Sequence, residues 1–262
     1  MLIGAMNHPA EDVLHEIQWM SQMGLDFLDL TLEPPGAASW RVNPGAIREA
    51  LERSRMQVVG HTAFYLPIGS PIKNIREASV EELKRCLEIF AILQVKWMNV
   101  HPDRQSHMHR RDAIIDLNLQ TLDEVLAAGR RVGVGVMLEN TPGHFNNVSQ
   151  LSQLLDPLPE LGLHLDIGHA NLHLSPDCDN SAPEIIARYG SRLRHVHLHD
   201  NKGGGADLHL PLGTGTLDVE RHLRCLKQSG YDSTITLEVF ASDRHYLDYS
   251  RKVLRTVWDK LG

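Results

Sequence analysis

The 262-residue chain is poor in several features that define protein classes. It has only three cysteines, Cys86, Cys178 and Cys225, and the absence of a C-x-x-C pair argues against a disulfide framework or a thiolate zinc site. No apolar stretch approaches the roughly 18 residues of a membrane span, and the N-terminus lacks the basic and apolar segments of a signal peptide. We therefore expect a cytoplasmic protein with no membrane partner.

The chain also lacks an excess of positive charge. Lys and Arg number 26 against 33 Asp and Glu, which gives a formal net charge of −7. Bulk charge therefore does not support binding to nucleic acid, and a DNA partner would require a local basic patch. Histidine is abundant by contrast, with 16 residues, and this excess is the first indication of metal chemistry.

Short apolar runs rich in β-branched residues alternate with segments of helical period along the whole chain. The predicted strands are Leu2–Met6, Phe27–Thr31, Gln57–His61, Trp97–His101, Gly133–Glu139, Gly162–Asp166, Leu193–His199 and Thr234–Val239. This rhythm predicts the α/β class and a single (β/α)₈ TIM barrel that forms one domain over residues 1–262. A doubly wound open sheet is the rival, but the segment after the first strand, MNHPAED, lacks a glycine-rich dinucleotide turn.

The segments between the strands predict amphipathic helices, of which four are the clearest. They span Val80–Leu93, Ala113–Arg131, Val219–Gln228 and Tyr246–Leu261. Ser79 and Glu82 have the spacing of a capping box at the start of the first of these helices. The irregular segment Ser175–Pro183 predicts a surface loop over the barrel mouth.

Histidines and carboxylates recur where the predicted strands end, and this is the edge where barrel enzymes place their catalytic groups. The candidate metal ligands in this pattern are His61, His101, Glu139, Asp166, His169, His197, Asp207, His209 and Glu238. On the seventh strand His195, His197 and His199 share one face by period two, so His195 and His199 are either partners of the ligands or lining residues.

Carboxylates gathered at one edge repel one another unless cations lie among them, so bound divalent metal is the simplest interpretation. The absence of thiolate ligands is compatible with Zn²⁺, Mn²⁺, Fe²⁺, Co²⁺ or Mg²⁺. Two glycine-rich segments, Gly203–Gly205 and Gly213–Gly215, could offer amides to a phosphate, or could simply be flexible loops.

Several short motifs carry a family resemblance. GHTAFYLPIGSP, NVHPD, LENTPG, LDIGHAN, HLHDNK, ADLHLPLGTG and LEVF occur in this order between His61 and Glu238. Together they resemble the xylose isomerase-like TIM-barrel superfamily, which includes endonuclease IV, the AP endonuclease family 2, and many sugar or sugar phosphate isomerases and epimerases.

The resemblance implies one to three divalent ions per chain. In the mononuclear isomerases and epimerases a Glu, Asp, His and Glu set holds one ion, and the counterparts here are Glu139, Asp166, His197 and Glu238. In endonuclease IV nine ligands hold three zinc ions, and every ligand has a counterpart. The implied sites are His61, His101 and Glu139 for one ion, Glu139, Asp166, His197 and Glu238 for the second, and His169, Asp207 and His209 for the third.

Two enzyme hypotheses follow, and a non-catalytic sugar-binding protein is the third possibility. The first is a metal-dependent isomerase or epimerase of a small sugar or sugar phosphate, which acts through an enediolate. Glu139 and Glu238 are then the catalytic acid and base, and His169 or His199 binds substrate oxygens. The second is an endonuclease IV-like phosphoesterase. DNA is the less favoured partner because the loop EPPGAASWRVNP carries Arg41 as its only base. A homo-oligomer is compatible with either hypothesis.

Overall fold

A computed structural model describes residues 1–104, 108–172 and 180–262 of the chain. Eight strands, parallel in every pair for which a register is defined, close into a barrel in chain order. The strands are β1 (Leu2–Met6), β2 (Phe27–Leu32), β3 (Gln57–Thr62), β4 (Trp97–Val100), β5 (Gly135–Glu139), β6 (Gly162–Asp166), β7 (Leu193–Leu198) and β8 (Thr234–Leu237). The predicted (β/α)₈ TIM barrel is confirmed, and the strand ends agree with the sequence-based bounds to within two residues.

A helix follows every strand. The helices are α1 (Val13–Met23), α2 (Pro44–Ser54), α3 (Lys73–Ile92), α4 (Arg111–Val132), α5 (Val148–Leu155), α6 (Ala182–Tyr189), α7 (Val219–Gln228) and α8 (His245–Lys260). Asp12, Asn43 and Asp218 cap the starts of α1, α2 and α7 by accepting hydrogen bonds from main-chain N–H groups. Gly24 and Gly133 end α1 and α4 in the left-handed conformation.

The prediction that a capping box starts α3 is wrong. The helix begins at Lys73, two turns earlier than expected, because the segment KNIREAS is itself composed mostly of residues that tolerate or favour helix. Ser79 therefore lies inside the helix, and its hydroxyl donates to the carbonyl of Ile75 at 3.1 Å. This bond to the preceding turn satisfies a buried serine without ending the helix.

The chain forms two compact units, and each is described by itself. The N-terminal unit comprises Met6–Glu139 and Ser152–Gly162, and the C-terminal unit comprises Met1–Ala5, Asn140–Leu151 and Leu163–Gly262. In the N-terminal unit Thr31 of β2 lies opposite His61 of β3. In the C-terminal unit His197 of β7 lies opposite Asp166 of β6. These registers bring polar residues at the carboxyl ends of neighbouring strands side by side.

Further sequence-based expectations concern membrane spans, the cysteines and one predicted loop. No helix among the described residues has the length and apolarity needed to cross a membrane. Cys86 and Cys225 are free thiols, and burial raises the pKa of Cys86. Cys178 lies outside the described residues, as does most of the predicted loop Ser175–Pro183, whose last residues lead into α6.

Candidate metal centre

In the N-terminal unit three of the predicted ligands form one buried cluster. Nε2 of His101 lies 3.0 Å from Oε2 of Glu139, and Nε2 of His61 lies 3.5 Å from the same oxygen. The two Nε2 atoms are 3.4 Å apart. Two imidazoles and one carboxylate that direct their donor atoms at a common point form a site that could hold a divalent ion.

Two residues that the sequence did not single out support this cluster. Nδ2 of Asn99 donates to Oε2 of Glu139 at 2.8 Å, and the hydroxyl of Thr31 lies 3.1 Å from Nδ1 of His61. The Thr31 contact fixes the orientation of the His61 ring and leaves its Nε2 for a metal. The Asn99 amide instead contacts the same Glu139 oxygen that faces the two histidines, and so orients the carboxylate. The alternation of side chains along a strand could have identified both residues. Asn99 precedes His101 by two residues and therefore shares its face, and Thr31 lies opposite His61 in the strand register.

In the C-terminal unit Asp166, His197 and Glu238 form a second group. Nδ1 of His197 lies 3.2 Å from Oε2 of Glu238 and 3.9 Å from Oδ2 of Asp166. Asp166 and His197 are fully buried, and Glu238 nearly so. Two carboxylates against one imidazole in a dehydrated setting need positive charge for their stability.

Asp207 organises the third group, also in the C-terminal unit. Its Oδ2 lies 3.0 Å from Nε2 of His169 and 3.0 Å from Nε2 of His209. Partial burial tends to raise the pKa of Asp207, but the two imidazole contacts outweigh it and hold that pKa well below its usual range. The carboxylate is therefore ionised and available as a ligand.

His199 and His195 differ in their surroundings, although they share one strand face. Burial lowers the pKa of His199, but the neighbouring charge of Asp166 outweighs it, and the net effect raises that pKa to about 8. His195 lies deeper, where its nitrogens contact the hydroxyls of Thr234 and Thr236 at 2.7 and 3.0 Å. His195 is thus a lining residue held by hydroxyls, and His199 is the one that faces the carboxylates.

Asp200 is a third residue that the sequence did not single out. Its buried carboxylate accepts four hydrogen bonds of 2.8–3.0 Å from the main-chain N–H groups of Asn201, Gly213, Gly215 and Leu217. A Cβ at Gly215 would collide with Asp200 and with the carbonyl of Asn201, so a glycine is required there. The amides of Gly213 and Gly215 thus serve an internal carboxylate, which leaves neither of them for the phosphate considered as an alternative.

The donors in both units fit divalent metal. They are imidazole nitrogens and carboxylate oxygens without thiolates, a set of ligands that suits borderline and hard divalent ions. Nε2 of His199 is a fully buried nitrogen that makes no hydrogen bond and lies 3.4 Å from Oδ1 of Asp166. A cation among these atoms would satisfy both the nitrogen and the carboxylates.

Comparison with known proteins identifies the family of this chain. Residues 17–257 match the family described as the xylose isomerase-like TIM barrel. The chain belongs to this family. The family predicted from the sequence is thereby confirmed, as is the expectation that the protein is an enzyme.

Proteins similar to this xylose isomerase-like chain include both a probable endonuclease and an epimerase-like protein. A probable endonuclease 4 of Aquifex aeolicus is 26% identical and covers 98% of each chain. A solved D-tagatose 3-epimerase-like protein is 24% identical, with a TM-score of 0.85 over 100% of this chain and 98% of the other. The IolI protein, solved with a bound zinc atom, is 16% identical, with a TM-score of 0.82 over 100% and 99% of the two chains.

Proposed function

We propose that this protein is a divalent-metal-dependent epimerase or isomerase of a small sugar or sugar phosphate. The observation that carries the proposal is the buried group of Asp166, His197 and Glu238, in which Nδ1 of His197 lies 3.2 Å from Glu238 and 3.9 Å from Asp166. Such a group is costly in a folded protein unless it binds a cation. The D-tagatose 3-epimerase-like relative and the zinc-bound relative support the substrate class and the metal.

The proposed reaction moves a proton at the carbon beside a sugar carbonyl. A bound divalent ion would polarise the carbonyl and the adjacent hydroxyl, which would acidify the C–H bond of the carbon that carries this hydroxyl. Glu139 and Glu238 are proposed as the groups that remove and return the proton, as predicted from the sequence. The hydrogen bond from Asn99 keeps the Glu139 carboxylate oriented, and the contact with His197 does the same for Glu238.

The test measures solvent deuterium uptake at the exchanging carbon by NMR. Zinc-, manganese-, cobalt- and magnesium-loaded protein is incubated in D₂O with ketohexoses, including D-tagatose, and with ketopentoses and their phosphates. We expect uptake and epimerisation with at least one sugar, and loss of both in Glu238→Gln, with the fold intact by circular dichroism. Glu220→Gln, an exposed residue of α7, is the matched control. The absence of uptake with every sugar and metal would refute the proposal.

Hydrolysis of a phosphoester is the second candidate, because all residues of the implied third metal site come together around Asp207. The endonuclease 4 relative supports it. Against a DNA substrate, the guanidinium of Arg41 is directed to its own loop, where it donates to the carbonyl of Pro35 at 3.2 Å. Cleavage of an abasic-site oligonucleotide by metal-loaded protein, abolished in His209→Asn, would establish this activity in place of epimerisation.

A further inference from the structure

Asn7 follows β1 directly and is buried in the N-terminal unit. Its Oδ1 accepts the main-chain N–H of Thr31 at 2.7 Å, and its Nδ2 donates to the main-chain carbonyl of the same residue at 3.2 Å. One amide side chain therefore satisfies both main-chain polar groups of Thr31, because it offers an acceptor and a donor as a peptide group does. Asn7 thus holds β2 near its carboxyl end in the way that a neighbouring strand would.

Thr31 transmits this constraint to His61. The two residues lie opposite each other in the register of β2 and β3, and the hydroxyl of Thr31 lies 3.1 Å from Nδ1 of His61. Threonine is branched at Cβ and has few side-chain rotamers, so the position of its main chain determines where the hydroxyl points. Asn7, Thr31 and His61 are 2%, 2% and 4% exposed, so water has little access to replace a bond that is lost.

The same arrangement occurs in the C-terminal unit. Asn140 follows β5 directly and is fully buried. Its Oδ1 accepts the main-chain N–H of Asp166 at 2.7 Å, and its Nδ2 donates to the carbonyl of Asp166 at 2.9 Å. In both units an asparagine directly after one strand binds the main chain near the carboxyl end of the next strand. In both, the bound residue is a candidate ligand or contacts one.

From these contacts we propose that Asn7 positions the ring of His61 for metal binding and that it acts through Thr31. The proposal rests on the metal dependence of the proposed function but not on its substrate. When the Thr31 hydroxyl accepts from Nδ1 of His61, the ring presents the lone pair of its Nε2 on the side of Glu139. Without the two bonds from Asn7 the main chain of Thr31 is no longer fixed, and the ring loses the contact that sets its orientation.

The test measures the zinc affinity of the native protein by competition with a chelating dye. His61→Gln identifies the binding constant that belongs to this cluster. We expect Asn7→Ala to weaken that constant by about ten-fold or more, because loss of a contact that orients a ligand typically reduces metal affinity by about 10–100-fold. Cobalt-loaded protein should show a matching change in its visible absorption spectrum, which reports the arrangement of the ligands and not the stability of the fold.

Asn118→Ala is the matched control. Asn118 is a fully buried residue of α4 in the same unit, and its amide bonds to the main-chain N–H and carbonyl of Asp103, both at 2.9 Å. The control removes a comparable pair of bonds, so its melting temperature should also fall, but its zinc affinity should stay close to that of the wild type. If Asn7→Ala lowered zinc affinity no more than Asn118→Ala does, the proposal would be overturned.

Two variants of Thr31 test the same path and cover the case in which Asn7→Ala does not fold. Thr31→Val replaces the hydroxyl with a methyl group of similar shape and should weaken zinc binding, whereas Thr31→Ser keeps a hydroxyl and should retain most of the affinity. Equal affinity in Thr31→Val and the wild type would refute the proposal. Because Asn7 acts through Thr31, adding Asn7→Ala to Thr31→Val should weaken zinc binding little further, and additive losses would contradict that path.

Deuterium uptake by the same proteins tests the epimerase activity separately. A wild type that binds zinc but takes up no deuterium would refute the proposed function and leave the role of Asn7 standing. A wild type that binds no zinc would refute both.

Discussion

The Asp200→Asn substitution tests how the loop that carries Asp207 and His209 is held. Asp200 is fully buried, and its two carboxylate oxygens accept two main-chain N–H groups each. Its own main chain pairs with Leu210 through two hydrogen bonds of 2.8 and 2.9 Å. One side chain and one bridge therefore close the segment between residues 200 and 217.

The cost of Asp200→Asn follows from counting acceptors. The amide keeps one oxygen with its two partners, but its NH₂ group faces two main-chain N–H groups that then have no acceptor. Each buried donor left without a partner costs about 1–3 kcal/mol, so the loss is about 2–6 kcal/mol. For a chain of this size that loss lowers the melting temperature by about 5–15 °C.

Thermal and urea unfolding of the metal-free proteins measure this loss without a contribution from bound ions. Asp218→Asn is the matched control, because Asp218 is an exposed cap of α7 and asparagine caps a helix as well as aspartate. We expect the control to stay within about 0.5 kcal/mol of the wild type. If Asp200→Asn did the same, the four main-chain bonds would not hold the loop, and the reasoning would be refuted.

Three further predictions concern other parts of the molecule. Burial of His222 and the charge of Arg221 lower the pKa of His222 to about 4, so the unfolded chain binds its proton first as the pH falls. The contribution of His222 to the free energy of unfolding is fully present above pH 6.5 and decreases by about 3 kcal/mol as the pH falls to 4. In urea unfolding at a series of pH values, His222→Gln should remove this pH dependence. Gly60→Ala would place a Cβ 2.9–3.1 Å from the ring of Phe90 and should cost about 1–3 kcal/mol in thermal unfolding, with partial rescue by Phe90→Leu; no rescue would contradict the clash. Zinc at about 100 times its Kd should stabilise the fold by about 2.7 kcal/mol, and an EDTA-treated sample that melts at the same temperature would exclude a metal that binds the native state.

The sequence predicted the barrel because its signals are local. Strand and helix periods repeat along the chain, and a barrel of eight such units needs no information beyond their order. The start of α3 was missed because serine with a glutamate three residues later also occurs inside helices, where the hydroxyl of Ser79 bonds to the preceding turn. Whether the chain forms one domain, and whether it assembles into oligomers, stay predictions.

The candidate ligands could be predicted because they are rare residue types at the ends of strands. Their supporting partners could not, since each contact joins residues distant in sequence. Asn99 of β4 contacts Glu139 of the neighbouring strand β5, 40 residues later in the sequence. The need for glycine at position 168 becomes visible only in the structure, where the ring of His199 packs against it. The sequence left open whether the glycines of the G-T-G segment bind a phosphate or form a flexible loop. In the structure the main-chain N–H groups of Gly213 and Gly215 donate instead to the buried carboxylate of Asp200.

The sequence by itself determined the number and order of the strands and the chemistry of the ligands, because periodicity and residue type need only neighbouring positions. Only the tertiary structure decided which carbonyls the Nδ1 atoms of His169 and His209 contact, because Asn140 and Glu238 belong to other segments of the chain. It also separated His199 from His195, which the strand period treats alike. Their difference comes from depth in the barrel, where one imidazole contacts hydroxyls and the other faces carboxylates.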